Sequence, residues 1–460
     1  MGDSTTGKLS IEALIRQVAQ AEIETVLVVF PDMYGRLLGK RLTGQFFTEH
    51  VASGGTHVCD YLLACDMEMD PVPGYTFTSW EKGYGDMHAV PDLSTLRTAA
   101  WLPKTAIVLC DLYTPDHKPA APAPRYMLQR QLERAKQIGC TVNGGTELEF
   151  YLFNESYHSA REKGYRNLQT AASYIEDYHI QQGTREEAVL SIVRRELSRS
   201  GVVIEGTKGE WGPGQQELNL VYCDALEQAD RAVLCRHACK EIADIQGKAI
   251  TFMAKWDEKL AGSGMHLHLS LWDAAGKNAF AGDIPLSSSR VSDMFRWFLG
   301  GILAHTLEIT ALFAPNVSSY KRFQASSFAP TSIAWSDDNR TAGYRVVGSG
   351  PSLRVECRIP GADANPYLAY AALLAAGLDG IENKTEPSEP FAGDIYQAAE
   401  LPRLQTNLRD ACAAFGDSSW TRATFGDAVV DHYVHFLKTE QRKFDEIVTD
   451  WEKARFFERI

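Results

Sequence analysis

Four segments of this chain alternate charged and apolar residues with a period of two. This pattern limits the possible folds more strongly than any other feature of the sequence. The four segments are 147–153 (ELEFYLF), 216–222 (QELNLVY), 265–272 (MHLHLSLW) and 354–359 (RVECRI). Successive side chains of a β-strand point to opposite faces, so each segment predicts a strand with one apolar and one polar face. Strands of this kind are typical of an antiparallel sheet that covers a core on one side.

The polar faces of these strands carry glutamate, histidine and arginine but no lysine. Any one face is compatible with ordinary exposure to water. Glutamate is a poor strand former, however, and several carboxylates on one face repel each other unless cations lie between them. The four faces together therefore predict a metal site, with the ligands Glu147, Glu149, Glu217, Glu356 and one of the histidines His266 and His268. Oxygen-rich ligation with one imidazole favours Mg²⁺ or Mn²⁺ over Zn²⁺.

Other charged residues extend this site. The glycine-rich segment 209–217 (GEWGPGQQE) is either a plain surface turn or a turn that folds Glu210 back towards the strand as a further carboxylate. Five arginines are either surface charges or clamps for phosphate and carboxylate groups: Arg322, Arg340, Arg345, Arg354 and Arg358. Because the chain has no Walker A motif and no Gly-x-Gly-x-x-Gly opening a helix, a nucleotide would be held through metals and arginines.

The composition narrows the class of protein. With 460 residues, the chain predicts two domains or one large elaborated domain. Its net charge of −13 disfavours nucleic acid as a partner. We find no apolar run of about 18 residues, which a membrane helix would need, and no secretion signal. Nine cysteines without paired spacing predict reduced thiols and a cytoplasmic location.

A proline-rich stretch divides the chain. Residues 114–125 (TPDHKPAAPAPR) contain four prolines, a density that argues against a helix or a central strand. Short strand-like runs dominate before this stretch, whereas helices and strands alternate after it. The fold class is therefore α+β, with a small N-terminal domain at 1–113, a linker at 114–125 and a large domain at 126–460.

Two helices have starts that can be recognised in the sequence. Ser10 is placed to cap a helix over 10–22. A second helix is predicted over 184–201, opened by a capping box of Thr184 and Glu187 and stopped by a glycine.

Six motifs in order resemble the type I glutamine synthetase superfamily, over a range from about residue 10 to the end of the chain. They are GTELEF, EWGPGQQE, GSGMHLHLSLW, SYKRF, NRTAGYR and RVECRIPGADANPYLAYAALLAAGLDGI. The resemblance implies an N-terminal β-grasp domain and a catalytic domain with a curved antiparallel sheet. It implies homo-oligomeric rings, commonly dodecamers, whose active sites are completed by the neighbouring subunit. It also implies that ATP phosphorylates the γ-carboxylate of glutamate and that an amine attacks the γ-glutamyl phosphate.

The resemblance assigns a role to each matching residue. One divalent metal would be bound by Glu149, Glu210 and Glu217. A second, near the ATP phosphates, would be bound by Glu147, His266 and Glu356. Glutamate would be held by Gly262, Arg322 and Arg358. The ATP-binding positions are Glu205, Tyr222, His268, Ser270, Arg340, Arg345 and Arg354. The predicted catalytic residues are Glu210 and Arg340, with two or three Mg²⁺ or Mn²⁺ ions per site.

The sequence departs from the family pattern at the ammonium site. Counted without gaps from Arg322, the family glutamate of Tyr-Glu-Ala-Pro aligns with Phe328. The N-terminal domain also lacks the Asp-Gly-Ser-Ser signature, whose aspartate helps to bind ammonium. We therefore expect ATP and glutamate as substrates, with an organic amine in place of ammonia and Phe328 shaping the amine pocket.

The N-terminal segments FPDMYGRLLGKR and SWEKGYGDMHAVPDLSTL resemble the γ-glutamyl-amine ligases of this superfamily. Ethanolamine, short alkylamines and polyamines are the candidate amines, and ethanolamine is favoured. Two alternatives stay open. One is a glutamine synthetase that uses ammonia. The other is a non-catalytic member with a structural or regulatory role, which the six filled metal-ligand positions disfavour.

Overall fold

The computed structural model describes residues 7–460, and the N-terminal part of this range forms a six-stranded sheet. Its elements are α1 Ile11–Ala19, β1 Thr25–Pro31, β2 Leu37–Thr43, α2 Gly44–Phe46, β3 Thr56–Cys59, β4 Asp86–Pro91, β5 Arg97–Thr98 and β6 Thr105–Tyr113. The strand order is β2-β1-β6-β4-β3, with β5 also on β6. Strands β1 and β6 are parallel, and the other neighbours are antiparallel. This topology agrees with the expected β-grasp domain.

The central strand β1 is apolar on both faces because both faces are covered. Val26 and Val28 pack with Leu14 of α1 in a small N-terminal core. Leu27 and Val29, on the opposite face, belong to the large core that continues into the rest of the chain. A strand covered on both sides has no need of polar residues, so it appears in the sequence as a continuous apolar run. The N-terminal sheet is therefore joined to the C-terminal part of the chain over a whole face.

The C-terminal part contains the remaining helices and strands around one large sheet. Its elements are α3 Pro124–Gln137, β7 Thr141–Phe153, α4 Tyr157–Glu162, α5 Ile180–Arg199, β8 Ile204–Gly209, β9 Gln215–Asp224, α6 Ala225–Ile245, β10 Ala249–Thr251, β11 Met265–Trp272, β12 Ala281–Leu286, β13 Ser289–Val291, α7 Asp293–Ala304, α8 Thr306–Phe313, β14 Trp335–Asp337, β15 Tyr344–Val347, β16 Arg354–Cys357, α9 Pro366–Asn383, α10 Leu408–Asp417, α11 Ser419–Phe425, α12 Asp427–Asp445 and α13 Asp450–Phe456.

The large sheet has eight strands in the order β14-β15-β16-β11-β7-β9-β8, with β10 also on β7. All of its pairs are antiparallel except β14–β15, which is parallel. The apolar residues of β7, β9 and β11 pack on helices α6 and α9, and α9 is buried along most of its length. The opposite face of these strands is thus left for polar residues, as the alternation predicted.

Three local predictions can be compared with the structure. Ser10 caps α1 as expected, because its hydroxyl accepts from the N–H of Ala13. The predicted capping box at Thr184 is wrong: α5 begins at Ile180, and the Thr184 hydroxyl donates to the carbonyl of Ile180 inside the helix. The proline-rich stretch is irregular only as far as 123, since α3 begins at Pro124, a position where the fixed φ of proline suits the first helical turn.

Arg125, at the end of that stretch, ties the two parts of the chain together. Its buried guanidinium donates to Asp92 at 2.8 Å and Asp111 at 2.6 Å in the N-terminal part, and to Asp230 of α6 at 3.0 Å. Burial would lower the pKa of Arg125, but the carboxylate of Asp230 outweighs it and raises this pKa. A permanently charged arginine shared by three carboxylates holds the N-terminal sheet in one orientation.

Within residues 7–460, every helix is too short or too polar to cross a lipid bilayer. All nine cysteines are unpaired, and seven of them are buried.

Candidate active site

The strand register brings the predicted metal ligands into one row on the polar face of the large sheet. Strands β16, β11, β7 and β9 are adjacent, and their registers pair predicted residues directly across the ladders. These pairs are His268 with Glu356, His266 with Glu147, and Glu149 with Glu217. Directly opposed side chains have Cβ atoms about 5 Å apart, so neighbouring ligands come within reach of a shared ion.

Two triads of these side chains have ligand atoms within 4.8 Å of one another: Glu147, His266 and Glu356, and Glu149, Glu217 and His266. His266 is 4% exposed and belongs to both. Its Nδ1 lies 2.8 Å from Glu147, and its Nε2 lies 3.6 Å from Glu149. The first triad is the predicted set for one metal. The second has His266 where the resemblance places Glu210.

The two carboxylates of the first triad are stabilised as anions by neighbouring histidine and arginine side chains. Burial would raise the pKa of Glu147, but hydrogen bonds with His266 and His268 outweigh it and hold this pKa well below its usual range. Burial would also raise the pKa of Glu356, but the charges of His266 and Arg358 outweigh the effect of burial and lower this pKa. This half of the site is therefore largely neutralised by the protein itself.

The carboxylates of the second triad lack this compensation. Burial and the charge of Glu210 raise the pKa of Glu149. Burial and repulsion from Glu147, Glu210 and Glu149 raise the pKa of Glu217 to about 9. Buried carboxylates that repel one another in this way are stabilised when a cation lies between them. The donor set of carboxylates around one imidazole nitrogen fits a divalent cation with oxygen ligands.

Lys208, on β8, is a member of the site that the sequence did not reveal. Its ammonium group pairs with Glu210 and lies 3.8 Å from Glu217. Burial would lower the pKa of Lys208, but the charges of Glu210 and Glu217 outweigh it and raise this pKa, so the group stays cationic. Glu210 is therefore close to the second triad but is engaged by lysine. Lys208 and Glu210 are two residues apart at the end of β8. Applying the same alternation to this strand would have placed both side chains on one face.

Five predicted ATP-binding residues line one cavity of about 540 Å³ beside the metal ligands: Glu205, Tyr222, His268, Ser270 and Arg354. Arg354 Nε donates to His268 Nδ1 at 3.2 Å, which links this cavity to the first triad. Trp272 also lines it and donates through its indole N–H to Ser270 at 2.9 Å. An aromatic ring on the wall of such a cavity can stack on a planar base. No role was predicted for Trp272 from the sequence.

The other two predicted ATP-binding arginines lie outside this cavity lining. Arg345 is buried and pairs with Glu356 and with Asp338, which is exposed. Arg340 is exposed in the turn between β14 and β15, and it makes no hydrogen bond or ion pair with another residue of 7–460. Its catalytic role stays a prediction.

The predicted glutamate-binding residues surround the loop before β11. Arg322 is buried, and its guanidinium donates to the carbonyls of Ile359 at 2.9 Å and Arg358 at 3.1 Å. A Cβ on Gly262 would lie 2.7 Å from Arg322 Cγ, so the glycine is needed for this close packing. Arg358 is buried, and it donates to Glu356 at 2.7 Å. These three residues therefore lie beside the metal ligands.

Phe328 lies in a loop that follows Arg322, and its ring is 48% exposed. Its backbone φ is +58°, a left-handed conformation that bulky residues rarely adopt. The ring contacts Trp211, with centroids 5.7 Å apart in an edge-to-face arrangement. Trp211 directly follows Glu210, which places Phe328 at the border of the carboxylate cluster. Trp211, like Lys208 and Trp272, received no role from the sequence.

Comparison with known proteins finds relatives along nearly the whole chain. The family model described as "Glutamine synthetase, catalytic domain" matches residues 121–456. The gamma-glutamylethanolamide synthetase GlnA4 of Streptomyces coelicolor is 45% identical over 455 residues, which cover 99% of this chain and 97% of that protein. The glutamate–isopropylamine ligase of a Pseudomonas species is 37% identical over 446 residues, covering 96% and 97%.

A solved structure of a GmaS–ADP complex has the same fold. It matches with a TM-score of 0.84 at 29% sequence identity, covering 96% of this chain and 99% of that chain. Because it covers 96% of this chain, the match extends over both the N-terminal sheet and the C-terminal part. The chain belongs to the glutamine synthetase family.

Proposed function

We propose that this protein is an ATP-dependent ligase that joins the γ-carboxylate of L-glutamate to a short organic amine through a γ-glutamyl phosphate. The observation that carries this proposal is Phe328, which stands where the family resemblance expects the glutamate that receives ammonium. Its half-exposed ring borders the carboxylate cluster and contacts Trp211. A phenylalanine cannot accept a proton from ammonium, but it can bury the carbon chain of an organic amine.

The names of two relatives support the same reaction class. One relative is a synthetase for γ-glutamylethanolamide, and the other joins glutamate to isopropylamine. Both products are amides of glutamate with small aliphatic amines. The higher identity belongs to the ethanolamide synthetase, so ethanolamine is the amine that we propose first, followed by short alkylamines and then polyamines.

Enzymes of this family use ATP and divalent metals. We propose that Mg²⁺ or Mn²⁺ binds to the two triads and Glu210, where it would neutralise charge on the phosphates of ATP. The 540 Å³ cavity would hold the nucleotide beside the first triad. Arg358 would orient the γ-carboxylate of glutamate, since it donates to Glu356 at the edge of that triad. Arg345 would face the phosphates from the other side of Glu356.

The attacking amine must lose a proton. An alkylamine has a pKa of about 10 and arrives as a cation. Glu210 is the proposed base, because its carboxylate lies next to Trp211 and already pairs with a primary ammonium group, that of Lys208. The contact of the Lys208 ammonium group with Glu210 supports the proposal that the ammonium group of a substrate can bind to the Glu210 carboxylate. In the working enzyme the two cations would compete for Glu210.

Two alternatives compete with this proposal. A glutamine synthetase that uses ammonia would need a different carboxylate for ammonium in place of Phe328. A non-catalytic member would have no reason to keep the buried carboxylates of the second triad, which repel one another without a cation. We also propose a homo-oligomer, in the form of a dodecameric ring, and a cytoplasmic location, which nine unpaired cysteines favour.

The reaction is tested by phosphate release from ATP with L-glutamate and Mg²⁺, across ammonia, ethanolamine, methylamine, isopropylamine, putrescine and spermine. Products are identified by mass. We expect kcat/KM with at least one organic amine to exceed that with ammonia by tenfold or more, an order of magnitude typical of apolar pocket selectivity. Reactions without glutamate serve as the control for simple ATP hydrolysis. Ammonia as the best nucleophile would establish the glutamine synthetase alternative instead.

Replacing Phe328 with glutamate is expected to move the selectivity towards ammonia. The substitution removes an apolar surface and adds a carboxylate, so the ratio of kcat/KM for the organic amine to that for ammonia should fall about tenfold. Phe328→Leu is the matched control, because leucine keeps an apolar side chain and should keep most of the ratio. An unchanged ratio in Phe328→Glu would show that this position does not set the choice of amine.

A further inference from the structure

Two large aromatic rings, Trp211 and Phe328, lie at the border of the carboxylate cluster with much of their surface uncovered. Each is 48% exposed, and they meet edge to face with an interplanar angle of 63°. Exposed apolar patches beside a functional site are typical of surfaces that a ligand covers. The two residues come from separate loops more than 100 positions apart, so their contact forms one continuous wall.

Both rings are held in place by the backbone that carries them. Next to Trp211, the N–H of Gly212 donates to Gln215 Oε1 at 2.9 Å, and Gln215 Nε2 donates to the carbonyl of Gly262 at 3.0 Å. Gly212 also lies against the Tyr151 hydroxyl, where no side chain would fit. The Trp211 loop is thus docked on the loop that is proposed to bind glutamate.

The Phe328 loop is fixed in the same way. Ser327 Oγ donates to the carbonyl of Gln324 at 2.5 Å, and the Tyr396 hydroxyl donates to the carbonyl of Ala329 at 2.9 Å. These bonds hold Phe328 in its left-handed conformation, which strains the backbone of a bulky residue. Backbone strain of this kind is concentrated at functional sites, where it fixes the position of a side chain.

The charge next to this wall is suited to an ammonium group. The backbone N–H of Trp211 donates to Glu210 Oε2 at 3.3 Å, so the proposed base lies against the backbone of the residue that carries the indole. An amine whose nitrogen lies at Glu210 would have its carbon chain against the wall. Ammonia has no carbon chain and therefore gains no binding energy from the wall.

We propose that Trp211 is a specificity-determining residue, which together with Phe328 forms an aromatic wall for the carbon chain of a primary aliphatic amine. This inference rests on the proposed function and extends it to a residue that neither the motifs nor the relatives assign. The wall contributes binding energy to the organic amine alone. It therefore selects against ammonia without any group that repels ammonia.

The test measures kcat/KM for the best organic amine and for ammonia in the wild type, Trp211→Ala, Trp211→Phe, Phe328→Ala and the double variant. Trp211→Ala should lower the ratio of organic amine to ammonia on the order of tenfold, through a higher KM for the amine. Trp211→Phe should keep most of the ratio, because a smaller ring preserves the apolar wall. The double variant should lose little more than either single variant, since each truncation breaks the same surface.

Trp297→Ala is the matched control, because Trp297 lies on α7 and contacts Lys384 away from the site. An unchanged ratio in Trp211→Ala and in Trp211→Phe, with normal turnover of the organic amine, would overturn the inference and leave the proposed function standing. Equal losses for both nucleophiles would also overturn it, since they would mean a general role of the loop. A wild type that uses only ammonia would overturn the proposed function, and the inference with it.

Discussion

Replacing Glu217 with glutamine is expected to reduce glutamate-dependent ATP turnover about 100-fold or more at a fixed Mg²⁺ concentration. Glutamine has the shape of glutamate but no charge, and it is a poor ligand for a hard cation. Because His266 and Glu149 remain, raising the Mg²⁺ or Mn²⁺ concentration should recover part of the rate. Initial rates measured against metal concentration separate the loss of metal affinity from the loss of the chemical step.

The same variant should respond in the opposite way when no metal is present. The Glu217 carboxylate is buried and is repelled by Glu147, Glu149 and Glu210. In the metal-free protein this carboxyl group must either carry a repelled charge or take up a proton on folding. Glutamine removes that cost, so the metal-free variant should melt at a higher temperature than the metal-free wild type. The rise in Tm on adding Mg²⁺ should be smaller in the variant, because stabilisation by a ligand follows its affinity.

Glu227→Gln is the matched control for this experiment. Glu227 is a partly buried carboxylate, and Arg97, Lys8 and Arg231 compensate its charge. Burial would raise the pKa of Glu227, and the charges of Arg97 and Lys8 outweigh it and lower this pKa to about 2. The control should therefore lower the Tm of the metal-free protein and leave the response to Mg²⁺ unchanged. If Glu217→Gln also lowers the Tm of the metal-free protein and leaves the response to Mg²⁺ unchanged, Glu217 is not a metal ligand.

Replacing Gly264 with alanine is expected to lower kcat/KM for glutamate on the order of 100-fold, although the change adds one methyl group. The new Cβ would lie 2.6 Å from Arg322 Nη2 and 3.1 Å from His266 Nε2. Arg322 cannot move aside freely, because its guanidinium is buried and donates to two backbone carbonyls. The overlap therefore displaces a proposed glutamate ligand and a proposed metal ligand together, at a cost of about 1–3 kcal/mol in stability.

Gly206→Ala provides the comparison for a glycine in the same sheet. No atom lies within 4 Å of the Cβ that this change would add to β8. We expect near wild-type kcat/KM and an equal or slightly higher Tm, because alanine reduces the freedom of the unfolded chain. Steady-state kinetics with varied glutamate, together with thermal melts, distinguish the two variants. Wild-type kinetics for Gly264→Ala would mean that this loop moves away from Arg322 in the working enzyme.

Much of the site could be predicted from the sequence because strand alternation is a local property. The positions of Glu147 and Glu149 two residues apart are enough to place both carboxylates on one face, whatever the rest of the chain does. The resemblance to a family added the roles of single residues, and Phe328 was visible as a departure from its pattern. Five of the predicted ATP-binding residues do line one cavity. Helix starts were less reliable, as Thr184 shows, because α5 begins after His179 without any side-chain cap that the sequence could reveal.

The tertiary structure decided which of these faces meet and what lies between them. The pairing of Glu149 with Glu217 and of His266 with Glu147 depends on the register of strands that are far apart in the sequence. Lys208 enters the carboxylate cluster from β8, and Trp211 meets Phe328 across two loops, although neither Lys208 nor Trp211 lies in the four alternating segments from which the site was predicted. Alternation follows from the geometry of a single strand, whereas these contacts arise only when distant segments are packed on one core.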